Sequence, residues 1–453
     1  MEPKDLATCQ CIISHPSKPK FMAIKHKTGF LPPVLKLPLD YNPNKNVPHL
    51  LDVMGRKYGL HTTGLRQLVC LKDYHCVELE LHGTGDRPLE AVWVGLEDYI
   101  RIRGTDQFGS DPLAKWLHEK NSGVVPATRP AWEKTGWFKV ASAWIHHQLD
   151  HLNIQATGAV SQFNAFRRRS EILEVPTSAG KLFFKATYIR KPLEVPLTLA
   201  LARHWPLNTP QLLAFDEKRN WMLMRDSKEA EKHSSADADY TAAASAMARI
   251  QVESLESLAE WTELGCAPTG LDQLRAFLAR PDWLGQVSKF DSRGEDISDE
   301  ERARLVEIGP GLVDLCDRLA EYGIPETLVH PDFWWANFVA DKDSIRIIDW
   351  CNSTISHPFF CFRRLLQLAP DREEVEPGSD PVVAAYLEPF RVLDSQSRLL
   401  EALALARELE PAWRLLCWQD EFDYVEPDRE ASVVAQRFNY SLVRQLLNAH
   451  RQT

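Results

Sequence analysis

Leu328-Val329-His330-Pro331-Asp332-Phe333-Trp334-Trp335-Ala336-Asn337-Phe338-Val339, followed shortly by Ile347-Ile348-Asp349-Trp350, is the stretch that decides how this chain is read. It has the form His-x-Asp-x4-Asn, then an apolar strand ending in Asp. Phosphoryl transfer from ATP asks little covalent chemistry of a protein. It needs a carboxylate to orient or deprotonate the acceptor hydroxyl, and an Asn and an Asp to hold magnesium over the phosphates. The spacing fits all three demands. Asp332 is the candidate base, Asn337 a metal ligand on the same loop, and Asp349 a second ligand presented at the end of the strand over 345–348.

The chain around this stretch has 453 residues, enough for two to four domains at about 100–200 residues each. Its 44% hydrophobic and 26% charged residues are those of a folded chain with a real core. A net charge of -10 makes a surface that repels phosphate polymers and anionic lipid, so neither nucleic acid nor membrane is expected as partner. The nine cysteines are an odd, scattered set and read as reduced thiols. Cys9 and Cys11 have no second Cys/His pair at zinc spacing and read as packed or exposed thiols rather than half of a metal site. The start Met1-Glu2-Pro3-Lys4-Asp5 lacks a basic segment with an apolar run behind it, and no stretch of about eighteen apolar residues occurs. A soluble, cytoplasmic protein is the expectation.

Residues 9–103 show short apolar runs broken by turn residues, the pattern of a small mixed sheet. One helix interrupts it at 48–58, where Leu50, Leu51, Met54 and Tyr58 keep helical spacing and Gly59 sits at the capping position. Residues 104–133 have the Gly, Pro, Asp and Ser content of a connection, which places a boundary near 125. A helix follows with Trp137, Phe138, Val140, Ala141, Trp144, Ile145 and Leu149 on one face. Two strands at 171–175 and 182–186 flank a turn at 176–180, and a third strand at 221–224 leads into Arg225-Asp226. The remainder is mostly helical, with periodic runs at 239–263, 300–321 and 396–419.

The loop and strand around Asp332 and Asp349 resemble the aminoglycoside phosphotransferase family, the choline-kinase-like small-molecule kinases, whose loop reads His-Gly-Asp-x4-Asn followed by Ile-Asp-Trp/Phe. The resemblance covers about residues 134–453. Pro331 replaces the usual Gly, which stiffens the loop without touching base or metal ligand. The resemblance implies an α+β, bilobal protein-kinase-like fold, with a small β-rich N-lobe over 126–228 and a larger helical C-lobe over 229–453. It implies ATP and magnesium as cofactors. Lys185 would be the strand lysine on the α- and β-phosphates, and Glu194 its helix partner, in Glu194-Val195-Pro196-Leu197-Thr198-Leu199-Ala200-Leu201. Backbone groups near Met224 would meet the adenine edge. The phosphate-covering hairpin falls at 158–170, where Ser161, Gln162 and Asn164 are candidate phosphate-facing donors. His357 is left a structural residue of the C-lobe.

Residues 1–125 resemble a Nudix domain, an α/β sandwich, in Arg56-Lys57-Tyr58-Gly59-Leu60 and Val92-Trp93-Val94-Gly95-Leu96-Glu97. The catalytic carboxylates of such a helix are missing, because Asp52, Val53, Met54, Gly55, Arg56 and Lys57 occupy their places. An accessory domain is the expectation. The acceptor is expected to be a hydroxyl on a small molecule. Asp420, Glu421, Asp423, Glu426 and Asp428 could receive an amine or simply form a solvated face. Trp334 and Trp335 could stack on a ring or a quaternary ammonium, or serve as core. The reading from a different class is a catalytically silent nucleotide-binding scaffold; nucleotidyl transfer from an inverted ATP pose is a third.

Overall fold

The computed structural model describes residues 6–26, 29–38, 46–71, 73–83, 91–103, 111–166, 169–188, 193–226, 237–280, 298–341, 344–367, 378–418 and 441–448. These fall into two compact units: residues 6–188 with Trp221–Leu223, and residues 193–220 with those from Met224 onward. Both are mixtures of sheet and helix.

The first unit begins with a seven-stranded mixed sheet of β1 (Leu6–Ser14), β2 (Phe21–His26), β3 (Gly29–Leu31), β4 (Val34–Pro38), β5 (Thr62–Cys70), β6 (Tyr74–Leu81) and β7 (Ala91–Val94). The order is β3-β2-β1-β6-β5, with β4 also on β1 and β7 on β2. β1 runs parallel to β6, with Cys11 opposite Val77, and the other pairings are antiparallel. Successive side chains of β1 leave on opposite faces, and both faces are covered. Cys9, Cys11 and Ile13 pack with Leu50 and Met54 of α1 (Val47–Tyr58), while Ile12 packs with Leu113, Trp116 and Leu117 of α3 (Pro112–Ser122). Between β7 and α3 lies α2 (Leu96–Arg103). Gly59 ends α1 at φ 68°, a left-handed turn that costs a side-chain-bearing residue strain, and donates its N–H to Gly55 O at 2.8 Å. On the outer face of α1, Asp52 pairs with Arg56 at 2.6 Å.

A buried ion cluster ties this sheet to α3 and to the residues beyond it. Arg66 of β5 pairs with Glu78 of β6 and, at 2.8 Å, with Glu119 of α3, which also pairs with Arg129. Lys120 reaches Glu78 at 2.9 Å and Ser14 Oγ–H donates to it at 2.6 Å. Burial alone would raise the Glu78 carboxyl, but Arg66, Lys120 and Ser14 outweigh it and hold the group well below the usual carboxylate range. Gly136 N–H donates to Glu80 Oε1 at 2.6 Å. The first unit therefore runs across residue 125, where the composition marks a connection.

Next come α4 (Trp137–His151), β8 (Ser161–Gln162), β9 (Ser170–Thr177) and β10 (Gly180–Thr187). Trp137 and Trp144 of α4 close on Phe184 and Trp221, with ring centroids 5.4–6.2 Å apart. The expected hairpin is present. Its strands extend further than the composition suggests, because pairing runs from Ser170↔Thr187 to Thr177↔Gly180 and leaves only Ser178 and Ala179 in the turn.

The second unit holds α5 (Glu194–His204), β11 (Leu212–Asp216) and the last residues of β12 (Trp221–Arg225), then α6 (Asp237–Glu253), α7 (Leu258–Glu263), β13 (Ala267–Pro268) and α8 (Leu271–Leu278). After these come α9 (Asp299–Ala320), β14 (Thr327–Val329), β15 (Phe338–Asp341), β16 (Ser344–Ile347), β17 (Thr354–Ser356), α10 (Phe362–Gln367), α11 (Pro381–Leu387) and α12 (Gln396–Trp418). The three long periodic runs thus appear as α6 with α7, α9 and α12. One core joins them through Met247, Trp261, Leu312, Leu328, Phe360, Tyr386 and Trp413. Ser298 caps α9 with a reciprocal bond from Glu301, which suits a helix beginning with three acids. Among the described residues no helix is long and apolar enough to cross a membrane, and the nine cysteines are free thiols.

Candidate functional site

β14 delivers the loop at 330–337, and the β15–β16 hairpin delivers residues 348–352. Hydrogen bonds tie the two segments together. His330, buried between them, donates Nε2–H to Ile348 O at 3.0 Å, while its Nδ1 accepts from Asp332 N–H at 3.2 Å. That pattern fixes one neutral tautomer and sets the backbone of both acids with a single ring. Ile348 N–H donates to Asn337 O at 2.9 Å. Asn337 donates Nδ2–H to Asp332 O at 2.8 Å and lies 3.3 Å from Asp332 Oδ2. With its amide nitrogen so engaged, Asn337 keeps its side-chain oxygen for a ligand.

Asp349 sits at φ 67°, ψ 48°, a left-handed conformation costing a residue of this size about 1 kcal/mol or more. Trp350 Nε1–H donates back to Ile347 O at 2.8 Å and Ser353 Oγ–H to Trp350 O at 2.8 Å, so the turn is held from both sides. Among the described residues one cluster of three metal-capable side chains occurs. It joins Glu194, Asp349 and Cys351, whose ligand atoms lie within 4.8 Å of one another. Two carboxylates suit a hard divalent cation such as magnesium. A thiol does not, and Cys351 instead donates Sγ–H to Asp349 Oδ1 at 3.3 Å.

The expected site residues divide between the two units. Asp332, Asn337, Asp349 and Glu194 lie in the second unit, the first two joined by hydrogen bonds and the last two neighbours in the carboxylate cluster. Lys185 is buried on β10, opposite Ile172, in the first unit. Met224, half-buried, is the residue at which β12 enters the second unit, and Arg225 N–H donates to Gln211 O at 3.1 Å. The acids at 420–428 lie outside the described residues.

Two candidate phosphate donors have a different role. Gln162 is buried, accepts from Gly64 N–H at 2.6 Å, and donates to Gly64 O at 2.9 Å and Glu171 Oε1 at 2.6 Å. Asn164 Oδ1 accepts from Ile172 N–H at 3.2 Å. Both brace the first unit internally. Trp335 is 41% exposed and Trp334 half-buried, so neither is core. The face of Trp334 carries the Arg364 guanidinium, 5.1 Å from the ring centre.

Arg364 and Arg414 had no signal in the sequence, yet they flank the candidate base. Arg364 Nε lies 3.4 Å and Arg414 Nη2 3.7 Å from Asp332 Oδ1. Behind them Glu410 pairs with Arg363 at 3.2 Å and with Arg414 at 3.5 Å. Cys351 was missed as well; its place two residues past Asp349 is the only hint.

His357 is structural. It caps the turn at 358–361 by accepting from Phe359 N–H at 3.3 Å, and burial lowers its pKa from 6.5 to about 3. The unfolded chain binds a proton at His357 that the folded chain refuses, so stability is lost as pH falls from 6.5 toward 3. The slope is about 1.4 kcal/mol per pH unit. His357→Asn keeps an acceptor for Phe359 and is expected to flatten that slope by about one proton in an acid-unfolding titration. An unchanged slope would mean that His357 is protonated in the fold.

No protein-family model matches this chain, and no curated protein matches it. Solved structures do resemble it. Choline kinase LicA from Streptococcus pneumoniae is 14% identical, with a TM-score of 0.43, over 67% of this chain and 98% of that one. Choline kinase from Cryptosporidium parvum Iowa II is 13% identical, with a TM-score of 0.46, over 69% and 92%. Macrolide 2'-phosphotransferase MphH from Brachybacterium faecium is 13% identical, with a TM-score of 0.43, over 66% and 98%. Likenesses this distant say nothing of what this chain acts on.

Proposed function

We propose that this chain is an ATP- and magnesium-dependent phosphotransferase that moves the γ-phosphate to a hydroxyl of a small molecule. The observation that carries the reading is the joint geometry of 330–337 and 348–351. One buried histidine holds the backbone of a candidate base and of a metal-ligand loop. The second acid is fixed in a left-handed turn beside Glu194. Local strain of this kind is expected where chemistry demands it.

In this reading Asp332 orients the acceptor hydroxyl and takes its proton as the oxygen attacks the γ-phosphorus in line. The bond between the γ-phosphorus and the bridging oxygen breaks, and ADP leaves with that oxygen. Asn337 and Asp349, with Glu194 beside them, would hold magnesium, which when bound neutralises charge on the phosphates. Glu194 thereby gains a second candidate role besides pairing Lys185, the residue assigned to the α- and β-phosphates. The backbone at Met224 takes the adenine edge. Residues 1–125 are a Nudix-like accessory domain: the mixed sheet and the Gly59-capped α1 support the likeness, and the Asp52–Arg56 pair stands where metal-binding carboxylates would be needed. The domains proposed are this one, an N-lobe over 126–228 and a C-lobe over 229–453, in a cytoplasmic protein.

A ligand that binds only the folded state stabilises it, by about 2.7 kcal/mol at a hundredfold excess over Kd. Mg-ATP is therefore expected to raise the melting temperature of the wild-type protein by several degrees, and Asp349→Ala to abolish the shift. A magnesium-independent shift would favour the silent scaffold, and no shift in the wild type would count against both readings.

A further inference from the structure

Resting on the phosphotransferase reading, we propose that the acceptor is an anion, a hydroxyl compound carrying a carboxylate or phosphate, and that Arg364 with Trp334 binds its charged group. Three guanidiniums, Arg363, Arg364 and Arg414, gather around two carboxylates, Asp332 and Glu410. Guanidiniums thus crowd the candidate base, two of them 3.4 Å and 3.7 Å from its carboxylate.

Hydrogen-bond capacity points the same way. Arg364 Nε–H and Trp334 Nε1–H are buried and donate to nothing among the described residues. Arg364 Nε and Asp332 Oδ1 form an ion pair at 3.4 Å. Both groups are donors and neither can accept, so a ligand that completes them must bring acceptors. A carboxylate or phosphate brings several, whereas an ammonium brings only further donors. One face of the Trp334 indole already carries the Arg364 guanidinium. Burial lowers the Arg364 pKa and Arg414 lowers it further, against Asp332 and Glu410, so a nearby anion would ease an existing repulsion.

The test uses the full-length protein melted with glycerate, glycerol 3-phosphate, glycerol, ethanolamine or choline, at constant ionic strength. Alongside it, Arg364→Met is melted with the same probes, and both proteins with Mg-ATP. At about 10 mM, glycerate or glycerol 3-phosphate should raise the wild-type melting temperature by about 2 °C or more. Arg364→Met should lose that shift and keep the shift from Mg-ATP. A larger shift from ethanolamine or choline, an anion shift that survives in Arg364→Met, or no shift from either anion would overturn the proposal. The Mg-ATP arm separates the two claims, because its failure in the wild type counts against the phosphotransferase reading while the anion arms read the arginine site directly.

Discussion

Asp332→Asn is expected to lower the turnover number by about 100- to 10,000-fold while Mg-ATP still binds. The amide keeps the size of the carboxylate and its place between His330 and Asn337, so the loop should survive. What it loses is the capacity to take a proton from the acceptor hydroxyl. It also loses the charge that opposes Arg364 and Arg414 at 3.4 Å and 3.7 Å. Release of ADP in the presence of acceptor reads the first loss, and the Mg-ATP melting shift checks that nucleotide still binds. Full activity in Asp332→Asn would remove this residue from the chemistry.

The largest stability effect is expected at Glu78. Replacing it with Gln leaves Arg66 and Lys120 facing a neutral amide, in a cluster where Glu119 already pairs with both Arg66 and Arg129. Uncompensated buried charge typically costs about 3–5 kcal/mol. Arg66→Met should cost less, because Lys120 still holds Glu78 and Arg129 still holds Glu119. Urea unfolding followed by tryptophan fluorescence reports on the first unit through the buried Trp116. Equal costs for the two substitutions would mean that the charges do not act as one cluster. The depressed Glu78 pKa adds a sign: its contribution is whole above pH 4.5 and is lost as pH falls below that.

The fold was legible wherever period and punctuation coincide. Gly59 announced the end of α1, the turn residues at 176–180 between two strand-like runs announced the hairpin, and the runs at 300–321 and 396–419 became single helices. The loop at 330–337 was legible as one unit, because His330, Asp332 and Asn337 stand close enough in sequence to be joined by hydrogen bonds within it. Gln162 and Asn164 misled for a physical reason. Nothing in the sequence tells that Gly64, about a hundred residues earlier, supplies partners to Gln162, or that Asn164 accepts from Ile172 N–H. Arg364 and Arg414 were illegible on the same ground: helices α10 and α12 bring them to Asp332, and that meeting is tertiary. The guanidinium of Arg364 over the Trp334 ring was equally illegible, because it too is a tertiary meeting.

The central claim is that Asp349, with Asn337 and Glu194 beside it, makes this chain's nucleotide binding depend on a divalent ion. Calorimetric titration of ADP into the wild-type protein and into Asp349→Ala, each with and without magnesium, tests it most directly. Magnesium should tighten ADP binding to the wild type by about tenfold or more and leave Asp349→Ala unmoved. An ADP affinity indifferent to magnesium, or a magnesium effect retained in Asp349→Ala, would contradict it.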